Sequence, residues 1–543
     1  SYQTGTVRRH GSTADASYTA HLMVSGLGTW RLPGTLHLRR RANHWLVEWT
    51  PATIHPALTP GGHFVVDRRW APRADILGAA GAQLTGPVSM VSIGLEGSRI
   101  KDPGPVTSAL VQAGADAGQV SGAVTQAAAH PDQFVLVFDV TDDRYQQLRP
   151  SLYPVPGIIF ERHSVRAALT SDLTAHVVGS VGPITAEELK TLGAPYQPGD
   201  MVGQAGIEAV FERTLAGTPG GDVKVLDATG RPVATAFSIP SKAGTPVQTT
   251  IDPRTERAAE AALDRVGQPA AVVAVRASTG EILAAVSRPV SAPFDRALNG
   301  RYPPGSTFKV ITTAALLAGG LTPTSPASCP PTIAVGGRTF HNFEGETQLN
   351  LSLQLAFAKS CNTAYIGLAS ALSSQDLIST AAKFGFGSDP RIGLSAFGGR
   401  VPAPVDQVEK VASAIGQSKV EASPLMMATV AAAVDAGFVH PPRLVAGADD
   451  SATATPLDPA VVSGLRPVMA AVVAQGTAAG TGLPPGTFGK TGTAEFGNAN
   501  PPATHAWFIG FRGDVAFAVL VEGGGVGGQV AAPLAARFLS ALG

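Results

Sequence analysis

Two pairs of strand-like segments, far apart in the chain, constrain its fold more than any other feature. Ala270–Arg276 and Glu281–Ser287 are rich in apolar and β-branched residues, and a short Gly-containing turn joins them as in a hairpin. His505–Phe511 and Val515–Val521 have the same pattern near the end of the chain. Because the sequence between the two hairpins is largely helical in pattern, we expect one antiparallel sheet with helices packed on its faces.

The sequence before these hairpins has two parts of different texture. In the first part, Tyr18–Val24, Gly34–Arg40 and His44–Trp49 resemble strands separated by Gly-rich turns. The second part is mixed, with Ala-rich helix predicted over Val106–Ala129 and a strand over Phe134–Val140. At roughly 150 residues per domain, this length predicts three or four domains. We expect a multidomain α+β protein with domains at 1–70, 71–245 and 246–543.

The composition argues against several classes of function. The 40 basic side chains balance the 40 acidic ones, so nothing electrostatic favours nucleic acid or an acidic membrane as the main partner. The isolated basic run Arg39–Arg41 is interpreted as a solvated strand end. No apolar stretch reaches the length of about 18 residues that a transmembrane helix needs, and no signal-peptide pattern precedes Ser1. We expect any export signal or anchor to lie outside this sequence or not to exist.

The first motif that carries chemistry is Ser306-Thr307-Phe308-Lys309. It follows Pro303-Pro304-Gly305 and opens an apolar run, Val310–Ala318, that ends at two glycines, as a helix should. Ser306 would lie in the first turn, with Lys309 one turn later on the same face. A serine hydroxyl needs a nearby base, and a neutral lysine amine can serve. The helix N-terminus also offers N–H groups to a developing oxyanion.

The same spacing occurs once more, in Ser98-Arg99-Ile100-Lys101. Asp102-Pro103-Gly104-Pro105 follows at once, where we expect no helix to continue. This second copy is therefore interpreted as an exposed loop.

Two further segments are ambiguous when each is taken alone. Ser360-Cys361-Asn362 lies between two helical runs, and its polar residues could face a cleft or simply cap a helix break. Lys490-Thr491-Gly492-Thr493 precedes the last hairpin. It could be an ordinary edge strand with solvated side chains, or a strand that pairs with an extended peptide substrate.

Taken together and in this order, Ser-x-x-Lys, Ser-x-Asn and Lys-Thr-Gly resemble the motif set of penicillin-binding proteins and class A β-lactamases. Other segments are similar to class B penicillin-binding proteins in particular. They are Thr250–Pro253, Glu260–Leu263, Tyr302–Lys309, Ser423–Ala428, Lys490–Glu495, His505–Phe508, Gly203–Glu208 and Leu215–Gly217. Trp45, Trp49, Pro56 and Arg73 resemble the end of a nuclear-transport-factor-like N-terminal domain. One departure is Gly416-Gln417-Ser418, where the family usually has Gly-Gln-Gly.

The resemblance implies a fold: a small α+β N-terminal cone domain, a mixed linker or pedestal domain, and a penicillin-binding, serine β-lactamase-like transpeptidase domain. It also implies a serine D,D-transpeptidase that cross-links peptidoglycan stem peptides and is acylated by β-lactams. The partner would be a glycosyltransferase of the cell-wall machinery, and no nucleic acid, metal or organic cofactor would be needed. The protein would lie on the extracytoplasmic face of the cell membrane, anchored by an N-terminal segment absent from this sequence.

By the same resemblance, Ser306 would be the nucleophile and Lys309 its base. The N–H groups of Ser306 and Thr493 would bind the oxyanion. Ser360 would relay a proton, and Asn362 would hold the substrate amide and orient Lys309. The remaining roles concern the substrate carboxylate: Lys490 would attract it, and Thr491, Gly492 and Thr493 would form its binding strand.

Three alternatives stay open at this point: a D,D-carboxypeptidase, a β-lactamase, and a β-lactam sensor that acylates once and signals. A β-lactamase would need a base for the hydrolytic water. The carboxylates considered for that role are Asp376, Asp389, Asp406, Glu409 and Glu421, and none lies in a segment resembling the β-lactamase loop. The helical pattern around Glu409 and Lys410 predicts a solvated face. Cys329 and Cys361 could form a disulfide or remain separate thiols.

Overall fold

The computed structural model describes residues 1–168, 176–342, 345, 347–449, 451, 453–499 and 501–543. The chain forms two compact units. The first contains Ser1–Asp75 and Ser180–Val247, and the second contains Ile76–Gly179 and Gln248–Gly543.

The first unit is mostly β-sheet. A four-stranded antiparallel meander is formed, in chain order, by Tyr2–His10, Thr13–Val24, Gly28–Arg41 and His44–Val47. Gly220–Leu226 is the central strand of a second sheet, between Pro232–Ile239 and His63–Arg69. Trp30 packs between the two sheets, stacked on Phe237 at 6.1 Å and edge-on to Phe64 at 5.4 Å. These aromatic contacts supply much of a small core.

Short elements complete the first unit. They are the strand pair Val181–Pro183 and Met201–Gly203, the 3₁₀ turn Pro51–Thr53, the boundary strand Val247–Gln248, and the helices Ala186–Leu192, Gly206–Val210 and Glu212–Ala216. Arg73 forms ion pairs with Glu208 at 2.5 Å and Glu212 at 2.7 Å, and all three side chains are nearly inaccessible to solvent. Buried carboxylates of this kind need such a partner.

The second unit begins with a three-stranded antiparallel sheet. Thr85–Glu96 is central, between Phe134–Thr141 and Ile158–Ala168. The helices that pack on it are Pro103–Gln112, Ala117–Ala129 and Asp142–Leu152. As expected, no helix continues from Ser98–Lys101, but a new helix begins at Pro103, three residues earlier than the predicted start at Val106. Asp102 accepts a hydrogen bond from the Gly104 N–H and caps a helix, since Pro is compatible with a first helical turn.

The larger part of the second unit contains a five-stranded antiparallel sheet. Its spatial order is Ile282–Arg288, Ala270–Arg276, Val515–Val521, Ala503–Arg512 and Phe488–Phe496. The two predicted hairpins therefore lie side by side, which confirms the predicted antiparallel sheet flanked by helices. Every residue of Ala270–Val275 is buried, because helices cover this part of the sheet.

Helices of the second unit pack on this sheet and on one another. They are Pro253–Leu263, Arg296–Asn299, Lys309–Ala318, Leu353–Ala358, Asn362–Ala369, Ser374–Lys383, Gln407–Ala414, Pro424–Ala436, Pro459–Gln475 and Ala531–Leu542. The short strands and 3₁₀ turns are Ile76–Leu77, Ala79–Gly81, Gly97–Arg99, Gly305–Phe308, Pro326–Cys329, Thr332–Val335, Arg338–His341, Gln348–Ser352, Phe438–Val439 and Thr455–Pro456.

Candidate active site

Ser306 lies in a tight turn that leads directly into a helix. The turn Gly305–Phe308 is 3₁₀, and the α-helix Lys309–Ala318 continues from it. The sequence predicted Ser306 within the α-helix itself. The turn is tighter because the Thr307 hydroxyl donates to the Pro304 carbonyl at 2.7 Å, just after the two prolines. Ser306 is half-buried, whereas its neighbours Thr307 and Phe308 are fully buried.

Lys309 is completely buried, and its amine contacts the Ser-x-Asn segment. Nζ donates to the Ser360 carbonyl at 2.6 Å and to Asn362 Oδ1 at 2.8 Å, and the Ser360 hydroxyl lies at 3.5 Å. The Tyr365 ring lies 5.3 Å from Nζ, and burial raises the pKa of its hydroxyl. The structure thus brings together three of the predicted side chains, Lys309, Ser360 and Asn362.

Ser360 has a backbone conformation that few non-Gly residues adopt. Its φ is +61°, between the helices Leu353–Ala358 and Asn362–Ala369. Such left-handed residues are costly and often occur at functional sites. The conformation directs the Ser360 carbonyl towards the Lys309 amine, a contact that a regular helix would not provide.

The two cysteines are joined in the structure by a disulfide, Cys329–Cys361. Of the two alternatives for these cysteines, a disulfide or two separate thiols, the structure has the disulfide. Both residues are buried, and Cys361 Sγ also accepts from the Ala364 N–H at 3.3 Å at the start of the following helix. The bridge thus ties the middle residue of the Ser-x-Asn motif to the strand Pro326–Cys329.

Lys490, Thr491, Gly492 and Thr493 lie on Phe488–Phe496, an edge strand of the five-stranded sheet. Lys490 is 0% exposed and Thr491 is 4% exposed, so this is not the solvated edge that was the alternative. The Lys490 Nζ donates to the Thr491 carbonyl at 3.0 Å and lies 5.4 Å from the Phe357 ring. Phe357 belongs to the helix that precedes Ser360, so the second and third motifs meet there.

The same strand also approaches the turn that carries Ser306. A Cβ added to Gly492 would lie 2.8 Å from Thr307 Cγ2 and 3.0 Å from the Pro304 carbonyl oxygen. Only glycine permits this approach without displacing a neighbour. The three motifs therefore converge on one region of the second unit.

Several residues of this region escaped the sequence analysis. The Thr491 and Thr477 hydroxyls share a hydrogen bond of 2.5 Å, and Gly527 N–H donates to Thr493 Oγ1 at 3.2 Å. Trp507 Nε1 donates to the Pro303 carbonyl at 3.1 Å. The Gly-rich run 523–528 was a signal of close backbone packing, but Thr477 had no signal in its local pattern.

The second Ser-x-x-Lys segment has no such surroundings. Ser98 lies in the exposed 3₁₀ turn Gly97–Arg99, and its hydroxyl donates to Glu96. Lys101 is exposed as well. The expectation of an exposed segment agrees with this placement.

Four of the five carboxylates considered as hydrolytic bases have side-chain partners; they are Asp376, Asp389, Asp406 and Glu409. Asp376 and Asp406 cap helices, and Asp389 accepts from the Gly398 N–H. The predicted solvated face at Glu409 and Lys410 is wrong, because the two residues are only 9% and 5% exposed. Within the described residues, no cluster of His, Cys, Asp and Glu could hold a metal ion. No helix in the described ranges is long and apolar enough to cross a membrane.

The region that contains the three motifs lies within a part of the chain that matches a known family. Residues 270–540 match the penicillin-binding protein transpeptidase domain, 68–249 the penicillin-binding protein dimerisation domain, and 3–62 the NTF2-like N-terminal transpeptidase domain. The peptidoglycan D,D-transpeptidase PbpA of Mycobacterium tuberculosis is 36% identical, with 58% of this chain and 75% of the relative covered. The peptidoglycan D,D-transpeptidase MrdA of Acinetobacter baumannii is 26% identical, covering 74% and 69%.

Solved structures show the same fold. A penicillin-binding protein, PBP2, in complex with MreC from Helicobacter pylori superimposes with a TM-score of 0.65 and 21% identity, over 88% of this chain and 98% of that one. A chain from a peptidoglycan synthase complex that coordinates polymerization and crosslinking gives a TM-score of 0.67 and 24% identity, over 89% and 92%.

Proposed function

The chain belongs to the family of penicillin-binding protein transpeptidases, and we propose that it cross-links peptidoglycan stem peptides through an acyl-enzyme on Ser306. The observation that carries this proposal is the buried amine of Lys309. It lies three residues after Ser306 and contacts Ser360 and Asn362. A buried amine near a half-exposed serine is what general-base activation requires.

In the first step, Ser306 Oγ attacks the carbonyl of the penultimate D-alanine of a stem peptide and gives its proton to Lys309. For this the amine must be neutral, a form that its complete burial favours. The N–H groups of Ser306 and Thr493 stabilise the oxyanion. The contact between Gly492 and the Ser306 turn supports this pairing of the two segments.

In the second half of the step, the bond to the terminal D-alanine breaks. Ser360 relays the proton to the leaving amine, and the ester on Ser306 remains. Lys490, Thr491 and Thr493 bind the carboxylate of the leaving residue, for which a cation and hydroxyl donors are suited. An amine of a second stem peptide then attacks the ester, so that one amide bond replaces another and Ser306 is regenerated.

A β-lactam would follow the first step and stall as an ester on Ser306. We place the reaction on the extracytoplasmic face of the membrane, where peptidoglycan is cross-linked, beside a glycosyltransferase of the cell-wall machinery. The membrane anchor and the domain boundaries at 1–70, 71–245 and 246–543 stay predictions.

The test is covalent labelling with a fluorescent penicillin, resolved by denaturing electrophoresis. Ser306→Ala should abolish labelling, and Lys309→Ala should lower its rate by several orders of magnitude, because a nucleophile and its base act as a unit. The chain supplies a matched control: Ser98→Ala and Lys101→Ala alter the other Ser-x-x-Lys segment and should label normally. Substantial labelling of the Ser306→Ala protein would contradict the proposal.

The carboxypeptidase and sensor alternatives separate at the second step. With a D-Ala-D-Ala peptide as donor and a D-amino acid as acceptor, mass spectrometry should detect the exchanged peptide. Release of the shortened peptide alone would indicate a carboxypeptidase. No turnover after stoichiometric acylation would indicate a sensor.

A further inference from the structure

His505 lies beside the Lys-Thr-Gly-Thr strand, yet the proposed reaction does not use it. It faces Ala494 across the sheet, and the residue is only 7% exposed. Its ring stacks on Phe496 with a centroid distance of 3.9 Å and meets the Tyr302 ring edge-on at 5.3 Å. These contacts fix the plane of the imidazole.

The polar contact of this imidazole is with the Gly-rich loop Gly523–Gly528. The Gly523 N–H donates to His505 Nδ1 at 3.4 Å. Beside it, the Gly525 N–H donates to the Thr504 carbonyl at 3.1 Å, and the Thr504 hydroxyl donates to the Gly525 carbonyl at 3.1 Å. Nδ1 can accept only while the imidazole is neutral, with its proton on Nε2.

The far end of the same loop touches the candidate active site. The Gly527 N–H donates to Thr493 Oγ1 at 3.2 Å. A Cβ added to Gly527 would lie 2.2 Å from the Gly492 carbonyl oxygen, so the loop backbone packs directly on the active-site strand. Because Thr493 Oγ1 accepts from Gly527, its own hydrogen is left to donate elsewhere.

We propose that His505 is a positioning residue that, in its neutral form, holds the Gly523–Gly528 loop so that Gly527 sets the Thr493 hydroxyl as a donor to the substrate carboxylate. This inference rests on the proposed function, in which Thr493 binds that carboxylate. In this arrangement, recognition of the substrate carboxylate depends on a hydrogen-bond relay from His505 through the loop to Thr493. The relay begins at a residue outside the three motifs.

The relay should weaken in acid. Burial lowers the pKa of His505 below its ordinary value of 6.5, and the Glu522 charge partly opposes this. The titratable and charged groups on the segments packed against the ring are Glu495, Asp295, Arg296, Arg301, Tyr302 and Glu522. Glu522 is held by the Arg296 guanidinium at 2.7 Å and by the Tyr302 hydroxyl at 2.5 Å. Protonation of His505 would convert the acceptor Nδ1 into a donor facing the Gly523 N–H.

The test measures second-order acylation rate constants for benzylpenicillin and for its methyl ester, which lacks the carboxylate. His505→Phe keeps the stacking but removes the acceptor, and it should slow acylation by the free acid about 10- to 100-fold while changing the ester less than about threefold. His505→Asn places an acceptor near the position of Nδ1 and should restore most of the rate. Phe511→Leu, at the other end of the same strand, is the control for altered packing of that strand, and it should change neither rate constant more than about threefold.

Two further measurements isolate the relay. In a Thr493→Val background, His505→Phe should cause no additional loss, because both changes act on one path. In the unaltered protein, the ratio of the free-acid to the ester rate constant should fall only at pH values below 6.5, because the pKa of His505 is lowered, and His505→Asn should lack this fall in the ratio.

The outcomes separate the two proposals. An unaltered protein that no β-lactam acylates contradicts the proposed function itself. Normal acylation by the His505→Phe protein, or an equal loss with acid and ester, overturns the relay alone. If His505→Phe does not fold, the His505→Asn variant and the pH profile of the unaltered protein still decide the question.

Discussion

Removing the amide of Asn362 should slow acylation of Ser306 by a factor that the structure allows us to bound. Of the protein oxygens near the Lys309 amine, the Ser360 carbonyl lies at 2.6 Å, Asn362 Oδ1 at 2.8 Å and the Ser360 hydroxyl at 3.5 Å. Asn362→Ala therefore removes the 2.8 Å contact between the amide oxygen and a fully buried amine. Loss of one such bond in a buried site costs about 1–3 kcal/mol. This corresponds to roughly a 5- to 150-fold lower acylation rate constant.

The assay is the rate of fluorescent penicillin labelling under second-order conditions, together with the melting temperature. Asn350→Ala is the matched control, because Asn350 is exposed on the neighbouring strand Gln348–Ser352 and should label normally. Asn362→Asp adds a change in the pH dependence of acylation that a loss of stability would not produce. A carboxylate beside Lys309 favours the charged amine, so the acylation rate constant should begin to rise only at a higher pH than in the unaltered protein. An Asn362→Ala rate within about twofold of normal, in a folded protein, would refute the assigned role of this contact.

Two further predictions concern the disulfide and the lifetime of the acyl-enzyme. Thiol counting on the denatured, unreduced protein should find no free thiol, and Cys329→Ser should lower the free energy of unfolding by about 3–4 kcal/mol, for a bridge that spans 32 residues. After excess penicillin is removed, intact-protein mass spectrometry should show the adduct persisting for many minutes. The reason is that Asp376, Asp389, Asp406 and Glu409 are bound to other protein groups rather than placed to activate a water. Free thiols, or recovery of free enzyme within seconds, would contradict the respective prediction.

The individual strands of the catalytic sheet were predictable, but their order was not. Turn residues and apolar runs mark Ala270–Arg276 and Val515–Val521 as strands without reference to the rest of the chain. That these two pair with each other is a long-range event that local patterns do not encode. The same holds for Phe488–Phe496, whose edge position determines that its Lys and Thr residues can reach a substrate.

The candidate site was predictable to the extent that its chemistry depends on short spacing. Ser306 and Lys309 are three residues apart, so helical geometry alone predicts that they share one face. Ser360 and Asn362 gained meaning only from their order relative to the other motifs, because taken alone the segment favoured a capped helix break. Indeed, Cys361 does cap the helix Asn362–Ala369, and the same segment contacts the Lys309 amine.

The family departure at Ser418 has a backbone consequence. Ser418 has a φ of +65°, in the left-handed region that glycine adopts without strain. At this position, where the family usually has glycine, this chain thus holds a side chain in a conformation that costs energy. The neighbouring Gly416 carbonyl accepts from the Gly305 N–H at 2.9 Å, directly before Ser306. Through this hydrogen bond, the turn that contains Ser418 supports the segment that carries the proposed nucleophile.

The error at Lys410 shows what a charge pattern cannot reveal. Two charged residues in a short helix usually mark a solvated face, but Lys410 Nζ donates to the Leu372 carbonyl at 2.7 Å and to the Ser370 carbonyl at 3.3 Å. These carbonyls follow the C-terminus of the helix that begins at Asn362. A cation is favourable there, because the helix dipole and unpaired carbonyls leave that end negative. Lys410 therefore binds the C-terminal end of the helix whose first residue, Asn362, contacts the Lys309 amine. This role depends on tertiary contact and leaves no mark in the local sequence.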